Sequence, residues 1–359
     1  MPRPTTACFN LSALRHNLGV VRRHAPRSKV WAVVKANAYG HGAERVTRSL
    51  DGTDGFALLE LEQAVRLREA GCAKSMLLLE GIFAAAELAL VDRYGFELVI
   101  HDVEQVLMLE RSRLAVPVPV WLKVNTGMNR LGFACDKARG IYDRLRACPN
   151  VASISLMTHF ADADGVGGVA AQSALFHDCT QGLNAQCTLA NSAAILRYPQ
   201  AHADWVRPGI MLYGCSPFAD TSAQALGLKP VMTLASEIIA IRNIRAGDSV
   251  GYGAAYTAPQ DMRMGVVACG YADGYPRSAP TGTPVQVCGR RSRTLGRISM
   301  DKLCVDLSGI AQAGVGSPVL LWGGDAATGL AADEVAAASG TVSYELFCAL
   351  AARVPVVEV

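Results

Sequence analysis

The sequence predicts an α/β fold in two parts: an N-terminal (β/α)8 TIM barrel over residues 1–230 and a C-terminal mainly β domain over residues 231–359. Residues 1–9 are candidates to pair with the second domain. Three observations carry this. Eight apolar, strand-like runs alternate with helical patterns up to about residue 230. No GxGxxG opens a helix, which removes the main support for a doubly wound dinucleotide fold. After Lys229-Pro230 the texture changes to strand-like runs crowded between turns.

The barrel strands are expected at Val30–Lys35, Gly55–Leu59, Ser75–Glu80, Phe96–His101, Val118–Val124, Val151–His159, Gln186–Ala190 and Asp204–Leu212. Each is a short apolar run, as strands buried on both faces require. Helical periodicity lies between them, at Glu60–Ala70, Ala84–Tyr94, Asp136–Ala147 and Val169–Leu183. The first helix, over Leu11–Val21, follows Asn10 and Ser12, either of which can cap it. In the second part, strands are expected at Val231–Ile241, Gly265–Cys269, Thr283–Cys288, Arg293–Ile298, Leu303–Leu307 and Ser317–Leu321. Gly-Asp, Pro-Thr-Gly-Thr-Pro and Cys-Gly-Arg-Arg supply turns between them, and helix returns near Ala331–Ala338 and Tyr344–Ala351.

A chain of 359 residues with 51% hydrophobic and 18% charged residues buries a large core. The net charge of +3 is dispersed without a Lys/Arg block, which argues against a nucleic-acid surface. No segment has the pattern of a secretion signal, and no apolar run approaches the ~20 residues of a membrane helix. The eleven cysteines are scattered, contain no CxxC pair and are odd in number. They argue against a disulfide framework or a zinc site and suggest small buried residues in a reducing, cytoplasmic setting.

Chemistry concentrates where barrel strands end, because that face builds the active site in this architecture. Val30–Val34 run apolar into Lys35, an amine at the edge of a core. Desolvation disfavours the ammonium form and makes the free amine a nucleophile suited to a Schiff base. Tyr39 follows in a Gly-containing turn, a place suited to phosphate. A lysine for an aldehyde and a tyrosine for a phosphate suggest pyridoxal 5'-phosphate, although a strand-end lysine paired with a carboxylate has the same pattern. Lys123 and Arg130 flank an Asn-Thr-Gly-Met-Asn turn after the fifth strand, and His159 ends the sixth. Asn191 and Ser192 end the seventh, and Arg207-Pro208-Gly209-Ile210 is expected within the eighth. Singly, these also suit a core histidine, an ion-paired arginine or a helix cap; their common end of the barrel is what sets them apart. In the second domain two Gly-Tyr clusters stand out, GYGAAYTA from Gly251 and GYADGYPR from Gly270.

The motifs VVKANAYGHG, KVNTGMNRLGF, MTHF, WVRPGIMLYG, VGYGAAY, GYADGYPR and GRISMD, in this order, resemble the bacterial alanine racemase family over essentially the whole chain. The resemblance implies an isomerase that interconverts L-alanine and D-alanine by two bases, with Lys35 holding pyridoxal 5'-phosphate as an internal aldimine. Tyr256 would be the second base, lent by the other subunit of a homodimer with shared active sites. Tyr39, Ser192, the backbone of Gly209 and Ile210, and Tyr344 would hold the phosphate, with Asn191 beside them. Arg207 would face the pyridine nitrogen, backed by His159. Arg130 would contact the cofactor's phenolic oxygen and the substrate carboxylate, which the backbone of Met300 would bind across the dimer, with Asp301 beside it. Tyr271 and Arg277 would line the entrance, and Lys123 matches a lysine that some members carbamylate. Position 125 is Asn where the family commonly has Asp, which leaves the charge around Lys123 open. The resemblance implies no metal.

Two faces of a planar carbanion require two bases, and a tyrosine near pKa ~10 serves only if positive charge lowers it. Arg207 and His159 are the expected sources of that field. A decarboxylase on the same barrel would need an acidic partner at the pyridine nitrogen, which Arg207 opposes. A simple cofactor carrier would not need Tyr256, and a cofactor-free aldolase would leave Tyr39 and the Trp205–Ile210 segment without a purpose.

Overall fold

The computed structural model describes residues 3–359. Eight parallel strands close a barrel: β2 (Lys29–Val33), β3 (Gly55–Leu58), β4 (Ser75–Leu78), β5 (Glu97–Ile100), β6 (Val118–Lys123), β7 (Val151–Met157), β8 (Cys187–Thr188) and β9 (Trp205–Val206), all following β1 (Thr6–Phe9). β2 pairs with β9 as well as β3, which completes the ring. Helices 11–24, 61–69, 103–111, 135–147 and 170–180 lie between the strands and cover it. Asn10, not Ser12, caps the first helix, its side chain accepting from the Ala13 N–H at 3.0 Å. The last two strands are shorter than the sequence suggested. Arg207–Ile210 lies beyond β9, and residues 210–213 form a 3₁₀ turn, because Pro208 lacks the N–H a strand ladder requires.

Aromatic side chains plug the barrel. Trp31 from β2 stacks on Trp205 from β9 at 4.5 Å, and Trp121 from β6 meets both edge-on. Trp121 donates to Glu97 and Trp205 to Gln186, which satisfies their indole N–H groups. Gly55 makes room: a Cβ there would stand 2.2 Å from Trp31 Cζ3.

The second domain comprises β10 (Met232–Ile244), β11 (Ser249–Val250), β12 (Tyr256–Thr257), β13 (Met262–Val267), β14 (Pro284–Val287), β15 (Arg290–Leu295), β16 (Leu303–Asp306), β17 (Pro318–Trp322) and β18 (Val356–Glu358). The main sheet runs β13-β16-β15-β14-β17-β10-β1-β18, and β13 also pairs with β10. β1 therefore belongs to this sheet, antiparallel to β10 and parallel to β18, although it precedes the barrel in sequence. The buried side chain of Asn17 ties the first helix to the segment that leads out of the barrel into the second domain. It donates to the Leu212 and Lys229 carbonyls and accepts from the Lys229 N–H.

The cysteines depart from expectation. Cys135 and Cys179 form a disulfide between the helices that follow β6 and β7, and only Cys148, Cys215 and Cys269 of the free thiols are buried. A pair separated by 44 residues has no local motif, so spacing could not reveal it.

Gly55→Ala should cost ~1–3 kcal/mol through overpacking against Trp31. Chemical denaturation monitored by tryptophan fluorescence measures this, and an unchanged midpoint would show that the indole plug tolerates displacement.

Candidate active site

The C-terminal mouth of the barrel opens on a cavity of about 800 Å³. Lys35, Tyr39, Lys123, Arg130 and His159 line it, as do Asn191, Ser192, Arg207, Gly209, Ile210 and Tyr344. Tyr256, Met300, Asp301, Tyr271 and Arg277 do not. Tyr256 sits on β12 and the others in turns of the second domain, where Met300 is 54% and Tyr271 36% exposed.

Lys35 leaves β2 into a turn of unusual backbone. Ala36, Asn37, Ala38 and Tyr39 have φ of 52, 52, 55 and 52°. Such left-handed residues cost roughly 1–2 kcal/mol each without glycine, so the surroundings must impose them. The Asn37 carbonyl accepts from Gly42 N–H and its side-chain oxygen from Ala43 N–H at 2.8 Å. His41, fully buried, places Nδ1 2.8 Å from the Tyr39 carbonyl and 3.1 Å from that of Ala38. Both contacts are to acceptors, so Nδ1 carries the proton. The reward is directional: Lys35 and Tyr39 both enter the cavity within a few residues. Burial, reinforced by Arg130, lowers the Lys35 pKa and favours the free amine.

Arg207 is 5% exposed and held by oxygen atoms from neighbouring strand ends. Nη1 donates to Thr188 Oγ1 at 2.7 Å, and Nη2 to the Thr158 carbonyl at 2.7 Å and the Leu189 carbonyl at 3.1 Å. Nη2 also lies 3.3 Å from His159 Nδ1, which faces a donor and is therefore the unprotonated nitrogen. Burial and then Arg207 hold the His159 pKa well below its usual range. The histidine is neutral and adds no positive field, contrary to expectation; the cations here are Arg207, Arg130 and, in part, the lysines. Burial brings Arg207 itself down to about 10. Burial, Arg207 and Arg130 bring Lys123 down to about 8. Asn125 does not act on this charge. Its side-chain oxygen accepts from the Gly127 and Asn129 N–H groups, and its amide donates to Asn129, so it shapes its own turn.

A cradle for an anion lies at the other end of the cavity. Ser192 Oγ is 2.9 Å from the Gly209 N–H. A Cβ on Gly209 would stand 2.5 Å from the Tyr39 hydroxyl, so only glycine leaves this space open. The Ile210 N–H donates to no group among the described residues. Tyr344 packs against Tyr39 at 5.7 Å between ring centroids. Asn191 has a different use: its side-chain oxygen accepts from Ala194 N–H and caps helix 192–197. Hydroxyls and a free N–H at one end, a desolvated amine and a rigid guanidinium at the other suit a phosphorylated pyridine aldehyde. Thr158, Thr188 and His41, which orient these groups, are not among the expected site residues, although His41 stands in VVKANAYGHG and Thr158 in MTHF; Thr188 carries no sequence signal of its own.

On the second domain, Tyr256 OH lies 3.3 Å from Met262 Sδ. The Asp273 carboxylate closes the turn that carries Tyr271 by accepting from the Gly270 N–H at 2.9 Å. Burial alone would raise the Asp273 pKa; hydrogen bonds from Arg3, Gly270 and Arg353 outweigh it and hold the carboxyl below its usual range.

Family models described as "Alanine racemase, N-terminal domain" and "Alanine racemase, C-terminal domain" match residues 9–217 and 231–358. An alanine racemase of Burkholderia mallei is 57% identical over 357 residues, covering 99% of each chain. A catabolic alanine racemase of Klebsiella aerogenes is 52% identical over 99% of each. The crystal structure of a biosynthetic alanine racemase from Pseudomonas aeruginosa superposes with a TM-score of 0.96 at 49% identity, again over 99% of each chain.

Asn37→Ala removes a backbone anchor and a residue tolerant of positive φ. It should destabilise the fold by about 1–2 kcal/mol in denaturant titrations. Asn37→Asp keeps the acceptor and should lie near wild type; equal stability of Asn37→Ala and wild type would show that the turn needs no such anchor.

Proposed function

The chain belongs to the alanine racemase family and is an amino-acid racemase, and on that premise we propose that it interconverts L- and D-alanine with pyridoxal 5'-phosphate and two bases. The observation that carries the reading is the convergence in one cavity of a desolvated lysine amine, a hydroxyl and N–H cradle, and a locked arginine. Lys35 would hold the cofactor covalently. Tyr39, Ser192, Tyr344 and the Gly209–Ile210 backbone would hold its phosphate, and Arg207 would face its ring nitrogen. When bound, the cofactor delocalises the charge left at Cα after proton removal.

The protein's part is to bind, orient and move protons. Arg130 fixes the substrate carboxylate from the barrel side, and Lys35 Nζ takes or returns the Cα proton on one face. Arg207, with a pKa of about 10, gives up no proton near neutral pH, so it would leave the ring nitrogen it faces unprotonated. That limits how much charge the ring accepts and restrains side reactions. The second base is Tyr256. It does not line its own chain's cavity; it sits half-buried on β12, beside the exposed segment that carries Tyr252. This arrangement supports a homodimer in which each second domain completes the partner's site. There the backbone N–H of Met300 meets the substrate carboxylate, with Asp301 beside it, and Tyr271 and Arg277 narrow the entrance.

The Lys123 amine, among Arg207, Arg130 and Lys35, is suited to carbamylation. A neutral amine adds to CO₂ with loss of a proton, and the resulting anion relieves repulsion among the cations. The relatives named above include both a catabolic and a biosynthetic enzyme, and either use of the reaction is compatible with this site.

Incubation with L-alanine in deuterated water should yield D-alanine with deuterium at Cα; no exchange by cofactor-loaded enzyme would refute the reading. Lys35→Ala should lose covalently held cofactor and turnover. Tyr256→Phe should keep the cofactor absorbance and lose ~10²–10⁴-fold in rate, as expected for removal of a general acid–base group. Protein exposed to ¹³C-bicarbonate should show a carbamate carbon that grows as pH rises through about 8 and is missing in Lys123→Gln. A spectrum identical in the two proteins would exclude the modification.

A further inference from the structure

Two arginines from opposite ends of the chain meet on one buried carboxylate. Arg3 precedes β1 and Arg353 precedes β18, and because β1 and β18 are neighbours the two side chains arrive together. The Asp273 side chain is 1% exposed. Arg3 Nη1 donates to its Oδ1 at 2.7 Å and Arg3 Nη2 to its Oδ2 at 3.0 Å; Arg353 Nε reaches Oδ1 at 2.8 Å. The same guanidiniums continue to the next turn. Arg353 Nη2 donates to Asp301 Oδ1 at 2.6 Å, and Arg3 Nη2 lies 2.9 Å from the Asp301 carbonyl. The two turns are also zipped directly. Tyr271 N–H donates to Ser299 O at 3.1 Å and Ala272 N–H to Met300 O at 2.9 Å. They approach so closely that a Cβ on Gly270 would stand 2.3 Å from the Ser299 carbonyl.

We propose that Arg3, Asp273 and Arg353 are positioning residues for the racemisation: they lock the paired turns 270–274 and 299–301 into one rigid body that presents Met300 and Tyr271 to the partner's site. The inference rests on the reading of Met300 and Asp301 given above. Arg3 and Arg353 are 40% and 42% exposed, so the ion pairs they make are weak contributors to global stability. Their value is geometric. One guanidinium bridges two carboxylates with separate N–H groups, which a lysine ammonium does not reproduce as a fork. Asp273, being buried, must stay paired, so the informative variants are the arginines.

Arg3→Gln and Arg353→Gln, prepared as cofactor-loaded dimers, should raise the KM for alanine roughly tenfold while kcat stays within about twofold, the pattern of lost uniform binding. Cofactor content and melting midpoint should stay at the wild-type values. Amide hydrogen exchange should accelerate in segments 270–274 and 299–302. Arg353→Lys keeps the charge and should still show a raised KM. Arg144→Gln, which removes a comparable exposed pair with Glu110 on the barrel helices, should change none of these readouts. Unaltered KM in both glutamine variants overturns the proposal, as does full rescue by lysine. Loss of cofactor or dimer in step with activity also overturns it, since that marks a merely structural role. A wild-type enzyme that fails to exchange Cα hydrogen sinks the underlying reading, whereas normal wild-type turnover with wild-type KM in every variant overturns the clamp alone.

Discussion

A buried guanidinium with no carboxylate partner among the described residues governs the electrostatics of the barrel mouth. Arg207 keeps its charge because hydroxyl and carbonyl oxygens satisfy its N–H groups, not because an anion neutralises it. Positive charge in a low-dielectric site then acts on every neighbour. His159 stays neutral and Lys123 sheds its proton near pH 8, each through burial first and Arg207 second, while Lys35 is lowered by burial and Arg130. Burial and the cations Arg207 and Arg130 thus make an amine nucleophile available and would favour the negative charge of a phosphorylated ligand and an amino-acid carboxylate.

The rest of the barrel secures that arrangement. The oxygens around Arg207 come from the ends of β7 and β8, and their placement depends on the ring closing between β9 and β2. The tryptophan plug packs between β2, β6 and β9 and fixes the same strands from below. Lys35 departs from β2 through four left-handed residues, a conformation maintained by Asn37 and His41. Strain at a functional turn persists where the surrounding contacts over-determine it.

Much of this was readable from the residues. Barrel strands are buried on both faces, so they appear as apolar runs, and the polar residues that end them mark the mouth. Lys35 was legible for that reason. The left-handed turn was not, because Ala-Asn-Ala-Tyr contains no glycine to announce positive φ. Nor was the neutrality of His159: a histidine's charge depends on what faces each ring nitrogen, and Arg207 is distant in sequence. Asn125 looked like a change in active-site charge because its neighbours are cationic, yet its side chain turns back on its own loop. The Cys135–Cys179 bond joins two helices whose proximity only the closed barrel creates.

The order in which strands join the second sheet has a consequence for synthesis. Thr6 pairs with Ala235, and Ala7 with Val356, so the strand made first has no partner until β10 is made, and its second edge stays open until β18, the last strand, arrives. At ordinary elongation rates that interval is on the order of tens of seconds. Over that time β1 waits unpaired while the barrel strands that follow it are still being made. The chain's beginning and end thus become structured together, and a nascent polypeptide released a few residues early would leave β1 with one open edge.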